Sequence, residues 1–148
     1  IHVGGDTDIE QKELYDRVDD AVCAVRAALS EGILPGGGVA LMRYADMYNR
    51  MDHQNKNIKA AIQIMSEALM APVIQILTNA GKNFEDIYTE IPKKNHGYDV
   101  KNEKKGDLIK MGVIDPSKVT RSALINAMSV ATTILSTNAI VTMKRKNG

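Results

Sequence analysis

Three consecutive glycines, Gly36–Gly38, lie between two stretches of helical periodicity and constrain the fold more than any other feature of the sequence. Because glycine lacks a Cβ, such a run can adopt backbone conformations closed to other residues and can bring its N–H groups close to a ligand. A helix is predicted to begin at Val39, and a helix N-terminus concentrates unpaired N–H donors and positive dipole. The run therefore outlines a phosphate-binding turn, although a glycine-rich connection between two helices would have the same composition.

The first predicted helix is long and covers residues 8–31. Thr7-Asp8-Ile9-Glu10 has the pattern of a capping box, with Thr7 at the N-cap and Glu10 at N3. Gly32 is a typical helix stop. The apolar residues recur at helical spacing and form one stripe. They are Leu14, Val18, Ala21, Val22, Val25 and Leu29. Since the opposite side is acidic, this helix is expected to project or bridge instead of lying within a core.

Asp20 lies nearly opposite this stripe, with Glu13 and Asp16 beside it on the helical wheel. Residues 1–31 contain eight carboxylate side chains against three basic ones. Spacing alone therefore assigns Asp20 to a solvated acidic face, with a catalytic carboxylate as the alternative.

Further helices are predicted over 39–50, 58–79 and 116–137, with a short one at 85–90. Pro72 is expected to kink or end the second of these, because proline removes a backbone donor and clashes with the preceding turn. Only one Phe and no Trp accompany eight Met. This composition favours closely packed helices over a β-sandwich.

Three short strands complete the prediction. Tyr98–Val100 and Met111–Ile114 are expected to pair, because branched residues flanked by turn formers suit strands. Ala139–Met143 is predicted as a closing strand. Asp115 is predicted as the N-cap of the last helix, with Pro116 at its first position.

Several classes of function are disfavoured. The basic segment 93–110 contains one aromatic residue, Tyr98, whereas nucleic-acid binding favours basic residues interleaved with aromatics. No uninterrupted apolar run approaches the roughly 20 residues that span a bilayer, and no signal-peptide pattern is present. We therefore expect neither nucleic acid nor a membrane as a partner.

Cysteine and histidine usage indicates no metal site. The single Cys23 excludes an internal disulfide and is predicted to be a buried, inert thiol. His2, His53 and His96 are scattered, without the spacing of metal ligands.

Longer motifs carry a specific resemblance. These are DRVDDA at 16–21, RAA at 26–28, EGILPGGGVAL at 31–41 and DPSKVTRSAL at 115–124. Together they resemble the C-terminal part of a group I chaperonin subunit, of the GroEL/Hsp60/Cpn60 family, over essentially the whole chain. Shorter matches are Ala71-Pro72, Asn79–Gly81, Gly97-Tyr98 and Met111-Gly112.

The resemblance implies a mainly α fold: a helical half of the equatorial domain with a small β-hairpin, and one long projecting helix of the intermediate domain. Residues 1–35 would be the C-terminal segment of the intermediate domain, and residues 36–148 the C-terminal half of the equatorial ATPase domain. Because the chain begins at Ile1 and matches only this part of the family, we expect it to be a fragment.

The resemblance also implies an ATP site. Asp20 aligns with the acid that activates water for ATP hydrolysis, and Gly37 with a glycine whose backbone contacts the nucleotide. Asp115 aligns with the ribose carboxylate. The base would be held by four residues: Asp99, Val100 and Lys101 in one turn, and Val113 beside it. Asp99 stands where the family usually has Asn, and Lys101 where it has a small residue.

In the parent subunit these residues would bind ATP or ADP with Mg²⁺ and K⁺, and hydrolysis would drive a homo-oligomeric ring, expected to be heptameric, that encloses unfolded proteins with a co-chaperonin. The chain lacks the family's main phosphate loop, its metal-binding Asp and the apical domain. The fragment alone is therefore expected to bind no cofactor and to be inactive. Ile74 and Asn83 depart from the ring-to-ring contacts of bacterial members, which leaves the number of rings open.

Two other functions stay open: a free-standing helical module for oligomerisation, and a small nucleotide-binding regulator. Loops rich in Lys and Asn favour an organelle, a plastid, apicoplast or mitochondrial matrix, with the bacterial cytoplasm as the alternative.

Overall fold

Five helices and four short strands are formed by residues 1–89 and 94–143, which the computed structural model of the protein describes. In chain order they are α1 (Asp8–Glu31), β1 (Ile33–Pro35), α2 (Val39–Asn49), α3 (Lys56–Asn79), α4 (Phe84–Ile87), β2 (His96–Asp99), β3 (Lys104–Asp107), β4 (Ile114–Pro116) and α5 (Ser117–Leu135). The mainly α fold with a small β-hairpin is confirmed.

The bounds of α1 are those predicted. The N–H of Glu10 donates to Thr7 Oγ1 at 3.2 Å, as a capping box requires. The Glu10 carboxylate accepts from the N–H of Asp6 at 2.9 Å, one residue earlier than in the standard box. Gly32, with φ of +82°, ends the helix and donates its N–H to Ala28 O.

No residue of α1 is buried by the described part of the chain, which agrees with a projecting helix. Its neighbours are α5 and β4. The prediction that Cys23 is buried is wrong, because Cys23 is exposed on this thinly covered helix.

The hydrophobic core lies where α2 packs against α3 and the β2–β3 hairpin. Its members are Val39, Met42, Val73, Leu77, Tyr98 and Leu108. Ser66, a buried polar residue of α3, donates its hydroxyl to Ala45 O of α2 at 3.3 Å. The bounds predicted for α2 agree with the structure to within one residue.

Helix α3 is 24 residues long and continues through Pro72, so the alternative in which Pro72 ends the helix is wrong. Proline removes one backbone donor, and the burial of Leu69, Val73 and Leu77 on both sides of it favours continuation. By length and composition α3 could cross a membrane. This was not predicted from the sequence, because its uninterrupted apolar runs are too short. Core helices of proteins that span no membrane can have the same length and composition, and the buried side chains of α3 face such a core.

Both sheets are two-stranded and antiparallel. β2 pairs with β3, Tyr98 opposite Lys105, and β1 pairs with β4, Leu34 opposite Asp115. The predicted pairing of Tyr98–Val100 with Met111–Ile114 is therefore wrong. Strand β3 is nearer to β2 in the sequence, so pairing with it closes a shorter loop and costs less conformational entropy. Ile114 belongs to β4 instead.

Two further predictions about local structure are corrected. The closing strand at Ala139–Met143 is wrong, since these residues are irregular and exposed. The predicted helix 85–90 is the single turn Phe84–Ile87, and Glu90 lies outside the described residues. Helix α5 ends at Leu135, two residues before the predicted end.

Candidate functional site

The glycine run forms a tight left-handed turn before α2. Gly37 and Gly38 have φ of +64° and +76°, values that other residues rarely adopt. A Cβ at Gly38 would lie 2.8 Å from the backbone N of Val73, so the start of α2 packs directly against the backbone of α3. This close approach explains why the turn requires glycine.

The same turn touches two distant segments. Gly36 donates its N–H to Val113 O at 2.9 Å, just before β4. A Cβ at Gly37 would lie 3.9 Å from Tyr98 O, in β2. The turn is therefore the meeting point of the β2–β3 hairpin and the chain that leads into β4.

Asp115 lies in β4, opposite Leu34 of β1. The prediction that Asp115 is a helix N-cap is wrong: Pro116 occupies that position and α5 begins at Ser117. The pairing with β1 holds Asp115 in an extended conformation, and Ser117 donates its N–H to Gly32 O at 3.0 Å.

The Asp115 carboxylate accepts no hydrogen bond from any residue in 1–89 or 94–143. Burial raises its pKa above the ordinary value for aspartate, because desolvation disfavours the charged form. A half-buried carboxylate without a protein donor beside it is suited to accept hydrogen bonds from a ligand, such as ribose hydroxyls.

Asp99 is 6% exposed and uses its carboxylate within its own turn. One oxygen accepts from the N–H groups of Lys101 and Asn102, at 2.9 and 3.3 Å, and the other accepts from Asn102 Nδ2 at 2.7 Å. The side-chain bond from Asn102, together with the two backbone donors, lowers the pKa of Asp99. Because both oxygens are engaged, the turn would offer a bound base mainly its backbone groups.

Val100 and Val113 are half-buried and pack against the core, whereas Lys101 is exposed. Val113 also accepts the N–H of Gly36, and its Cγ1 lies 3.2 Å from where a Cβ of Gly36 would be. Val113 therefore forms an apolar wall beside the glycine turn.

Six of the seven predicted site residues thus lie around one turn, and we call them the glycine-turn cluster. Its members are Gly37, Asp99, Val100, Lys101, Val113 and Asp115. The seventh, Asp20, is exposed on α1, about 16 Å of helical rise before Glu31. The structure does not bring Asp20 to the cluster.

The contact that holds the C-terminal end of α1 was not predicted from the sequence. Glu31 and Arg121 form a two-point ion pair, with Oε1 to Nη2 at 2.8 Å and Oε2 to Nε at 3.0 Å. The hydrogen bond from Arg121 lowers the pKa of Glu31, and that from Glu31 raises the pKa of Arg121. The two residues are 90 positions apart, so no local pattern could have paired them.

A surface groove of about 790 Å³ lies elsewhere, along α2, α3 and α4. Its lining includes Asn49, Lys59 and Phe84, and none of the glycine-turn cluster. Within 1–89 and 94–143 no three His, Cys, Asp or Glu side chains are grouped closely enough to hold a metal ion.

Comparison with known proteins identifies the family. The model of the TCP-1/cpn60 chaperonin family matches residues 1–145. The chain belongs to this family. It is 43% identical over 145 residues to Chaperonin GroEL of Orientia tsutsugamushi, in strain Boryong and in strain Ikeda. These matches cover 96% of the chain and 26% of each relative, and they confirm the expected kinship with group I chaperonins.

Among solved structures, the crystal structure of a group III chaperonin in the open state is similar, with a TM-score of 0.74 and 27% identity. That match covers 94% of this chain and 30% of the other. The chaperonin chain described here therefore spans about a quarter of the length of the curated relatives it matches.

Proposed function

We propose that this chain forms one side of the nucleotide site in a subunit of an ATP-dependent chaperonin. Residues 1–35 would be part of the intermediate domain, and residues 36–148 the C-terminal half of the equatorial domain. The observation that carries the proposal is the gathering of the glycine-turn cluster, in a member of this family, around a turn whose geometry only glycine tolerates.

In this proposal each part of the cluster contacts a different part of ATP. Gly37 approaches the nucleotide through its backbone, because no Cβ stands in the way. The free carboxylate of Asp115 accepts hydrogen bonds from the ribose hydroxyls. The backbone of Asp99–Lys101 borders the adenine, and Val113 packs against the face of the base.

Asp20 would orient the water that attacks the γ-phosphate. Because Asp20 is remote from the cluster, α1 must move as a body to deliver it. Helix α1 ends at Gly32, which is the natural pivot, since its φ of +82° is left-handed and, apart from its chain neighbours, no described residue comes within 4 Å of where its Cβ would be. Closure of α1 would thus couple hydrolysis to a domain motion.

Mg²⁺ and K⁺ would neutralise phosphate charge when bound with ATP. The described residues contain no group of acidic side chains that fits such an ion, so we place its protein ligands in other parts of the subunit. For the same reason the chain alone is proposed to lack ATPase activity.

The wider function we propose is that of the family: subunits assemble into a ring, heptameric by analogy, which encloses unfolded proteins with a co-chaperonin. The partners would be further copies of the subunit, a co-chaperonin and client proteins.

Complementation tests this proposal. The 145 aligned residues of a GroEL subunit are replaced by this chain, and ATP turnover is measured. We expect turnover in the chimera and a loss of about 100-fold or more in Asp20→Ala, the size of a general acid–base contribution. Asp19→Ala removes a neighbouring exposed carboxylate and is expected to retain activity. A folded but inactive chimera would overturn the proposed function.

A second candidate, a helical oligomerisation module, is favoured by the exposed apolar residues of α5, such as Ile125 and Val130. Such a module would not restore ATPase activity to the chimera.

Titration calorimetry of the isolated chain with ATP tests the idea of a nucleotide-binding regulator, for which we expect no measurable heat of binding.

A further inference from the structure

Two contacts from outside the glycine-turn cluster hold the β2–β3 hairpin. The N–H of Tyr98 donates to the phenolic oxygen of Tyr88 at 2.9 Å. Lys82 Nζ lies 2.8 Å from Glu103 Oε1. Tyr88 and Lys82 flank α4, while Tyr98 and Glu103 lie at the two ends of the turn that contains Asp99. The hairpin is therefore attached to the α3–α4 region on both sides of the proposed base-binding turn.

Tyr88 is well placed to act as an acceptor. Its ring is half-buried against the core and lies 5.3 Å, centroid to centroid, from the ring of Phe84. Burial raises the pKa of the phenol, so the hydroxyl stays neutral at physiological pH. In an antiparallel ladder the N–H groups of alternate residues point away from the partner strand. The N–H of Tyr98 is such an outward donor, and Tyr88 satisfies it.

The hydrogen bond between Tyr98 and Tyr88 lies next to the glycine-turn cluster. The N–H of Tyr98 is bonded to Tyr88, and the carbonyl oxygen of Tyr98 lies 3.9 Å from where a Cβ of Gly37 would be. Asp99 follows immediately along the chain. A shift of Tyr98 would therefore move the base-binding turn and change the space beside Gly37.

The ion pair restrains the other end of the turn. Glu103 has φ of +51°, a left-handed value that is unfavourable for a residue with a side chain. The hydrogen bond that Lys82 donates to Glu103 lowers the pKa of Glu103 and raises that of Lys82, so both stay charged near neutral pH. The pair thus holds Glu103 in a conformation that closes the turn.

We propose that Tyr88 and the Lys82–Glu103 pair are positioning residues that hold the Asp99–Lys101 turn where a nucleotide base binds. They set the affinity for the base and not for the phosphates. This inference rests on the proposed function, because it presumes that the turn borders a nucleotide.

Tyr88→Phe in the GroEL chimera is the direct test, because it removes the hydroxyl and keeps the ring. We expect the KM for ATP to rise about three- to tenfold, the effect of losing one neutral hydrogen bond, with kcat changed less than about twofold. Inhibition by inorganic tripolyphosphate, which has no base, should stay unchanged. Tyr44→Phe is the matched control, since this half-exposed tyrosine makes no hydrogen bond through its hydroxyl to the described residues.

A charge exchange tests the ion pair independently. Lys82→Glu or Glu103→Lys alone should raise the KM for ATP in the same way, and the double exchange should restore it. Unchanged KM values in folded single variants, or an equal loss of tripolyphosphate inhibition, would overturn the positioning role. An inactive unsubstituted chimera would instead contradict the proposed function itself, so the two failures are distinguishable.

Discussion

At the scale of single residues, two glycines with left-handed backbones differ in their surroundings. A Cβ at Gly38 would meet the backbone of Val73 at 2.8 Å, whereas a Cβ at Gly81 would meet no atom of residues 1–89 or 94–143 within 4 Å, its chain neighbours aside. We expect Gly38→Ala to lower the free energy of unfolding by about 2–4 kcal/mol, from backbone strain plus overpacking. Gly81→Ala should cost about 1–2 kcal/mol, from strain alone. Urea unfolding of both variants measures the difference, and equal costs would contradict the packing of Gly38 on α3.

The raised pKa of Asp115 predicts that the stability of the protein depends on pH. Its native pKa is raised above the ordinary 3.8, so the folded state binds more protons than the unfolded state between the two values. The free energy of unfolding therefore falls as pH rises through this window. Asp115→Asn should remove that fall and raise stability at pH 7, while weakening nucleotide binding in the chimera. Urea unfolding at a series of pH values checks this. A less stable Asn variant at pH 7 would indicate that the carboxylate has a stabilising partner.

The sequence predicted which residues lie around the glycine turn better than it predicted the surroundings of each side chain. Asp99 and Asp115 were both assigned through the resemblance to chaperonins. Their environments are opposite, since Asp99 is engaged by its own turn and Asp115 has no donor within the described ranges. This difference depends on the pairing of Asp115 with Leu34, a contact between residues 81 positions apart. No local pattern encodes it.

At the scale of elements, α1 is anchored by the Glu31–Arg121 ion pair. The pKa of Glu31 is lowered, so the pair's contribution is present above the ordinary glutamate value of 4.5 and is lost as pH falls through the lower native value. We expect Glu31→Gln at pH 7 to broaden the range of α1 orientations relative to α5. Spin labels at Cys23 and at Ser129→Cys, both exposed, would report it as a wider distance distribution.

The control for this experiment is Arg17→Gln. It breaks the Glu13–Arg17 pair within α1, whose atoms lie 2.7 Å apart, without touching α5. Its distance distribution should match that of the unsubstituted chain. If Glu31→Gln behaves like this control, the ion pair does not set the orientation of α1.

The helices were predictable and the strand pairing was not, for a physical reason. Capping at Thr7 and Gly32 and a periodic stripe are local signals, and α1 has the expected bounds. Strands β1 and β4 have three residues each, too few to show alternation. Their pairing depends on the distant segments that the glycine turn brings together.

At the scale of the whole molecule, apolar surface is unevenly covered. The core lies between α2, α3 and the hairpin, whereas no residue of α5 is buried within the described part of the chain. Ile125, Val130 and Ile134 of α5 are each more than half exposed. These residues lie on different sides of the helix, and a helix that is apolar on several sides is typical of one covered by other protein.

We therefore expect the isolated chain to self-associate at micromolar concentration and to bind a hydrophobic dye. The combined substitutions Ile125→Asn, Val130→Thr and Ile134→Asn should shift the chain towards monomer and reduce dye binding, because they remove apolar area and leave the core intact. Sedimentation velocity and dye fluorescence measure the two effects, and far-UV circular dichroism checks that the helices remain. Ile9→Asn and Leu29→Asn form the matched control, since both residues are 83% exposed on α1. Equal loss of association in this control would show that exposed apolar area in general drives association, and that α5 has no special part in it.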